Sequence, residues 1–245
     1  MKENSKIIPA YKKESPCSYT AGSYATIEML LSRPECARMV FIHSDCTDPE
    51  RLMQLCRDRS VPVEFGDAAF KRVSQKENTY VLGLFEKYPG ELSHFAPHVV
   101  LVNPGDMGNL GTIVRTLAAF NITDLALITP AADIWHPKTI RASMGSIFAI
   151  RHELFSSFHE YRGRYGQHSL YPFMLDGQTK ILRENCPKCD LYTLIFGNEA
   201  SGLPDCFHRI GSSIMIPQSA KVDSLNLAVA VGIGVSLFAG ANGQI

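Results

Sequence analysis

The chain has 245 residues, enough for one large or two small domains, and with 45% hydrophobic and 20% charged residues it is excluded from the disordered and low-complexity classes. Its 24 basic and 24 acidic residues cancel, so any nucleic-acid contact has to come from local clusters such as Lys12 with Lys13, Lys71 with Arg72, or Lys138 with Arg141. Seven cysteines, an odd number in a chain of this length, argue for reduced thiols in a cytoplasmic protein.

Met1 to Lys13 is polar and lacks the apolar stretch of a secretion signal; the segment to Cys17 reads as a loose or docked tail. From Ser23 helix and strand patterns alternate. Ser23 to Leu31 is a short helix stopped near Pro34, and Arg38 to His43 is a strand. Thr47, Asp48, Pro49 and Glu50 start a helix that runs to about Arg59. Val61 to Phe65 is a strand, placed at a sheet edge by Pro62. Asp67 to Val73 reads as helical and Thr79 to Phe85 as a further strand. Residues 1–95 thus form a small α/β domain, and the proline- and glycine-bearing stretch Glu86 to Pro97 is the linker.

A second α/β domain, 96–245, opens with the strand His98 to Asn103. The helix from about Asn109 to Phe120 carries Leu110, Ile113, Val114, Leu117 and Ala118 on one face. Asp124 to Thr129 is the next strand, followed by helical or loop segments through Ala149. Strand-like pieces follow at His152 to Phe155 and Leu170 to Leu175, and Leu191 to Gly197 is a strongly buried strand. Strands alternating with helices imply a parallel sheet. Cys186 and Cys189 form a lone C-x-x-C, to which Cys206 or His208 could add zinc ligands, but a polar loop with two thiols is the favoured reading; no metal is expected.

The last stretch, Ile214 to Phe238, is the most informative. Ile214 to Ile216 reads as the end of a buried strand, stopped by Pro217. After a polar loop, Ser224 stands where an N-cap belongs, ahead of a helix apolar on nearly all faces. Its uninterrupted apolar part is shorter than the roughly 20 residues a membrane span needs, so the helix is expected to be covered partly by its own domain and partly by a second copy of the chain.

Three loops follow buried strands, where open α/β sheets bind ligands. The first, Asn103 to Arg115, spaces its glycines as GxxGxxG rather than the dinucleotide GxGxxG, and places Gly111 and Arg115 on one outward helix face. The second is Phe196 to Pro204, with Gly197 and Glu199. The third carries Ser224 and Asn226.

In this order the loops resemble the SpoU (TrmH) family of the SPOUT class of RNA methyltransferases. Asn109, Gly111 and Arg115 match its N-x-G-x-x-x-R pattern. Phe196, Gly197, Glu199, Gly202 and Leu203 match F-G-x-E-x-x-G-L. Ile216, Pro217, Ser224, Leu225 and Asn226 match I-P-x(6,7)-S-L-N. The likeness covers about Pro97 to Gly240, with Met107 where proline is common and Gln218-Ser219-Ala220 in place of the usual methionine and glycine. More weakly, the front domain looks like the family's small substrate-binding domain. The resemblance implies a trefoil-knotted parallel sheet and an S-adenosylmethionine site at Gly197, Ile216 and Leu225, which the end of Phe173 to Gly177 would also line. It further implies catalytic residues Asn109, Arg115, Glu199, Ser224 and Asn226, and a homodimer through the C-terminal domain. The expected reaction is methylation of a ribose 2′-hydroxyl, in ribosomal RNA ahead of transfer RNA. The readings weighed against it are a catalytically silent RNA-binding protein of the same fold and a nucleotide-binding oxidoreductase.

Overall fold

The computed structural model describes residues 9–67, 69–70 and 79–245. The chain divides into two compact units. One comprises the described residues up to Tyr88 together with Asp133–Ala149; the other comprises Pro89–Ala132 and Ile150–Ile245.

The first unit holds a four-stranded sheet in the order β1 (Cys17–Ala21), β4 (Val81–Glu86), β2 (Ala37–Ile42), β3 (Val63–Phe65). Helices α1 (Ser23–Ser32) and α2 (Glu50–Asp58) lie close to the expected positions, and β3 is at the edge, as Pro62 predicts. The sheet is mixed rather than parallel: β2 and β3 run parallel, but β4 is antiparallel to both of its neighbours. Strand β1 is missed by the sequence reading, which ends the tail at Cys17 and starts a helix at Ser23 with nothing assigned between. It carries buried Ser18 and Thr20 in place of an apolar run, because each hydroxyl has a partner: Ser18 Oγ donates to the Trp135 carbonyl at 2.6 Å, and Thr20 Oγ1 sits 2.7 Å from Thr26 Oγ1 and accepts from Gly83 N at 2.8 Å. The expected helix Asp67–Val73 lies largely outside the described residues.

Asp133–Ala149, which the linear division at residue 95 gives to the second domain, packs with the first. Its short helix α3 (Pro137–Ala142) has proline at the first helical position and His136 as cap. Trp135 and Phe148 pack on Phe85 with ring centroids 5.6 and 5.1 Å apart, and Trp135 also meets Tyr88 at 4.7 Å.

The second unit is a five-stranded, wholly parallel sheet. Its order is β7 (Arg151–Phe155), β6 (Asp124–Ile128), β5 (His98–Val102), β10 (Tyr192–Phe196), β8 (Ser169–Pro172). Strands β5, β6 and β10 are buried at every position, which is why they read as unbroken apolar runs rather than alternating ones. Around them are α4 (Met107–Ala119), α5 (Phe158–Arg164) and α6 (Leu227–Ala241); α5 has no counterpart in the sequence reading. Ile214–Met215 does not join the main sheet. It forms β11, paired with β9 (Thr179–Lys180) in a separate two-stranded sheet.

The two ends of the parallel sheet differ. At the amino end polar residues of adjacent strands stand in register: His98 lies opposite Asp124 on one side and Thr193 on the other. His98 Nδ1 is 2.9 Å from the Tyr161 hydroxyl, which is 2.7 Å from Thr193 Oγ1, and His168 Nδ1 is 3.0 Å from the same Thr193 oxygen. Asp124, fully buried, accepts from Arg151 and from the Ser93 N–H, so its charge is paired. The carboxyl end carries the loops.

Candidate active site

From β5 the chain steps outward through β6 to β7, whereas β8 and β10 lie on the other side. The sheet therefore changes direction between β5 and β10, and a crevice at the carboxyl ends of strands at such a switch point is where α/β sheets take ligands. The first two sequence motifs are the loops leaving these two strands.

The β5 loop turns at Asn103, whose φ of 54° is left-handed, a conformation asparagine tolerates. Asp106 then caps α4 by accepting from Asn109 N at 2.7 Å. The β10 loop turns at Gly197, where a Cβ would stand 2.1 Å from the carbonyl carbon of Gly202; only glycine permits that approach. Glu199 reaches from this loop into the other. Its carboxylate accepts from Gly105 N at 2.9 Å, Asp106 N at 3.1 Å and Asn109 Nδ2 at 3.2 Å. Burial raises its pKa, but these hydrogen bonds outweigh that effect and hold it below the usual carboxylate value.

The third motif joins through Asn226. Its Oδ1 accepts from Ala228 N and Val229 N at 2.9 and 3.4 Å, capping α6, while its Nδ2 donates to Asn109 Oδ1 at 3.0 Å. One continuous chain of hydrogen bonds thus runs from the amino end of α6 through Asn226 and Asn109 to Glu199 and the β5 loop. The cap is Asn226, not Ser224 as the sequence suggests: the polar loop extends two residues further, and asparagine caps as well as serine. Ser224 is exposed.

Beside this chain lies a cleft of about 610 Å³, within the usual size of ligand sites. Gly197, Ile216 and Leu225 line it, as do Glu199 and Ser224 and the segment Phe173 to Asp176. Its floor includes Phe173 stacked on Phe196, centroids 4.4 Å apart. Gly234 of α6 packs against both rings, leaving no room for a Cβ, which would fall 2.8 Å from Phe173 Cζ.

Arg115 stands apart. It is exposed and, among the described residues, has neither hydrogen bond nor ion pair. Six residues from Asn109, it lies about 9 Å along the helix axis. Gly111, expected on the same outward face, is buried. Four residues overshoot a full helical turn by about 40°, so Gly111 falls at the margin of the apolar stripe and, lacking a side chain, is covered by its neighbours.

Two residues of the site escape sequence reading, Asp106 and Asn198. Asp106 was findable as the acidic residue three before Asn109 at a helix start. Asn198 carried no signal beyond its place in a turn. The Cys186–Cys189 pair is outside the cleft: Cys186 is buried, Cys189 Sγ lies 3.6 Å from the Tyr171 hydroxyl, and His208 pairs with Asp176 at 3.1 Å. Among the described residues no cluster of three His, Cys, Asp or Glu side chains could hold a metal, and no helix is long and apolar enough to cross a membrane.

Fold and site together define an α/β enzyme that places a small-molecule cleft against a fixed polar chain at the switch point of a parallel sheet. Residues 96–236 match the SpoU rRNA methylase family, and the chain belongs to that family. It is 29% identical over 170 residues to the 23S rRNA (guanosine(2553)-2′-O)-methyltransferase of Bacillus subtilis strain 168, covering 67% of each chain. It is 26% identical over 203 residues to the 23S rRNA (adenosine(1067)-2′-O)-methyltransferase of Streptomyces azureus, covering 76% of this chain and 73% of that one. The AdoMet-bound rRNA methyltransferase of Sinorhizobium meliloti superposes with a TM-score of 0.76 at 26% identity, over 91% of this chain and 87% of the other.

Proposed function

We propose that this methyltransferase moves a methyl group from S-adenosylmethionine to a ribose 2′-hydroxyl of ribosomal RNA. The observation that carries the reading is the hydrogen-bond chain Glu199–Asn109–Asn226, which joins all three motif loops beside the cleft. The cleft suits this cofactor: its rim is glycine-bearing backbone at Gly197 and Gly202, and among the described residues no lysine or arginine lines it, whereas a pyrophosphate-bearing dinucleotide calls for a different glycine pattern and for anion-binding groups. Gly197, Ile216 and Leu225 hold the cofactor, largely through main-chain groups. S-adenosylmethionine supplies an electrophilic methyl on a sulfonium; the S–CH3 bond breaks with its electron pair left on sulfur, an O–CH3 bond forms, and the hydroxyl proton is lost.

A hydroxyl is a weak nucleophile until that proton is removed, and a guanidinium is a poor base. Arg115 therefore binds the neighbouring RNA phosphate through its planar fork, and a phosphate oxygen or water takes the proton. Ser224, on the cleft wall, and the second N–H of each amide in the Asn109–Asn226 pair position the ribose. Glu199 fixes the loops and touches no substrate. Positioning of this kind supplies a large part of the rate when two bound groups react.

The proposal extends to the rest of the molecule. The segment after β10 forms the trefoil knot, a rare topology; the N-terminal unit selects the RNA; the protein acts in the cytoplasm. It works as a homodimer through the outward stripe of α6, Val229, Ile233 and Leu237, of which Val229 is 50% exposed. Mapping of 2′-O-methyl positions in cellular RNA with and without the protein tests the reading. A single ribosomal position lost on deletion supports it; a lost transfer-RNA position moves the substrate, and no lost position overturns it.

A further inference from the structure

We propose that Asn198, adjacent to Glu199, is a positioning residue that couples the cofactor loop to the loop bearing Asn109. This deepens the methyltransferase reading and rests on it. Asn198 lines the cleft and divides its amide between the two loops. On one side Oδ1 accepts from Ala200 N at 2.9 Å and Ser201 N at 3.3 Å, closing its own turn, which is also held by the paired backbone bonds between Asn198 and Gly202. On the other side Nδ2 donates to the carbonyl of Asn103 at 2.8 Å and lies 3.5 Å from Glu199 Oε2. Asn103 is the left-handed residue at which the β5 loop turns. Asn198 therefore clamps the start of that loop while Glu199 clamps its Gly105 and Asp106 amides. The two act in parallel: without the Asn198 donor, the start of the loop carrying Asn109 loses its tie to the β10 loop while Glu199 still holds Gly105, Asp106 and Asn109, and the cofactor turn keeps its own acceptor.

Asn198→Asp separates the two halves of this role. The introduced carboxylate still accepts from Ala200 and Ser201, so the cofactor turn stays closed. It has no proton for the Asn103 carbonyl and stands beside Glu199; both raise its pKa against the lowering by the two N–H groups it accepts. At low pH the protonated carboxyl donates to Asn103 again. The test measures methyl transfer to ribosomal RNA from cells lacking the protein, calorimetric S-adenosylmethionine binding, and amide hydrogen exchange at Gly105 and Asp106.

For Asn198→Asp, turnover should fall about tenfold, the scale of one charge-independent hydrogen bond, at pH 8. It should recover several-fold relative to wild type near pH 6, with cofactor affinity within about threefold throughout. Asn198→Ala should lose turnover and cofactor affinity together, with no pH recovery. Faster exchange at Gly105 and Asp106 in both variants at pH 8 supports the clamp without reference to activity. A pH profile parallel to wild type, or unchanged exchange, overturns it. A wild-type protein that binds cofactor but methylates no RNA overturns the function reading instead, and the exchange result then still decides the clamp.

Discussion

A carboxylate that receives two backbone N–H groups and an amide is held in one place, and Glu199 is such a group. Its depressed pKa fixes the sign of its contribution. The folded protein holds the proton less tightly than the unfolded chain, so the stabilisation is present above the unfolded carboxylate pKa and is lost as pH falls through the folded value. Glu199→Gln presents an NH2 where two N–H donors point. It should lower both melting temperature and activity at pH 7.5, and the stability gap to wild type should narrow in acid; thermal melts at both pH values check this. Arg115 makes the opposite case. With no partner among the described residues, Arg115→Ala should leave stability and cofactor affinity unchanged and cut turnover by about 10- to 100-fold, the worth of a charged hydrogen-bonded contact. Arg115→Lys should also be slow, since a point charge does not reproduce a planar fork. Wild-type turnover in either variant would make Arg115 a solvated surface residue.

Helix α6 is apolar on two faces for two reasons, and the structure separates them. Val231, Val235 and Phe238 are fully buried within their own unit, so a charge there goes into the core. Val229, Ile233 and Leu237, four apart, form the outer stripe. Val231→Glu should therefore unfold the unit rather than report on a dimer, because a buried unpaired charge is strongly destabilising. Val229→Glu should keep the melting temperature within a few degrees while converting a dimer to monomers. Light scattering with circular dichroism tells these apart, and a wild-type monomer at micromolar concentration would refute the interface. Gly234→Ala should destabilise by roughly 1–3 kcal/mol through overpacking against Phe173 and Phe196, with cofactor binding weakened alongside.

At the scale of the molecule, the two units share one chain that crosses between them more than once. Residues 133–149 leave the parallel sheet after β6, pack with the N-terminal unit and return at β7. A fragment starting near Phe95 would strip the cover from Trp135, Ile140 and Phe148, all buried in the whole chain. Such a fragment should aggregate unless 133–149 is also shortened; a soluble, cofactor-binding fragment with that segment intact would show that it folds without its partner strands. The buried polar belt sets the acid limit. Burial, and after it the charge of His168, pushes His98 down to about 4, and burial also lowers His168. A base with a depressed folded pKa contributes stability above its unfolded value, about 6.5, and loses it as pH falls towards 4. Denaturant titrations should show stability falling by up to roughly 1 kcal/mol per pH unit across that window on account of His98. His98→Gln should flatten the slope.

The residues alone determined the central strands β5, β6 and β10 of the second unit and the helices α4 and α6, because strands buried on both faces must be apolar throughout and their loops must carry the glycines. They also determined the family, through Asn109, Glu199 and Asn226, whose types and spacing survive in one dimension. The sequence left β1 unread because its buried hydroxyls look like surface until Trp135 and Gly83 are seen to satisfy them. It left unread that Asp133–Ala149 changes units, since no local propensity records which sheet a helix leans on. Only the tertiary structure showed what Glu199 holds: its partners are 90 to 94 residues away. The same holds for Asn198, whose importance is a single bond to Asn103 across the gap between two strands. Hydrogen bonds between distant loops leave no periodicity in the chain, and they are what turns three motifs into one site.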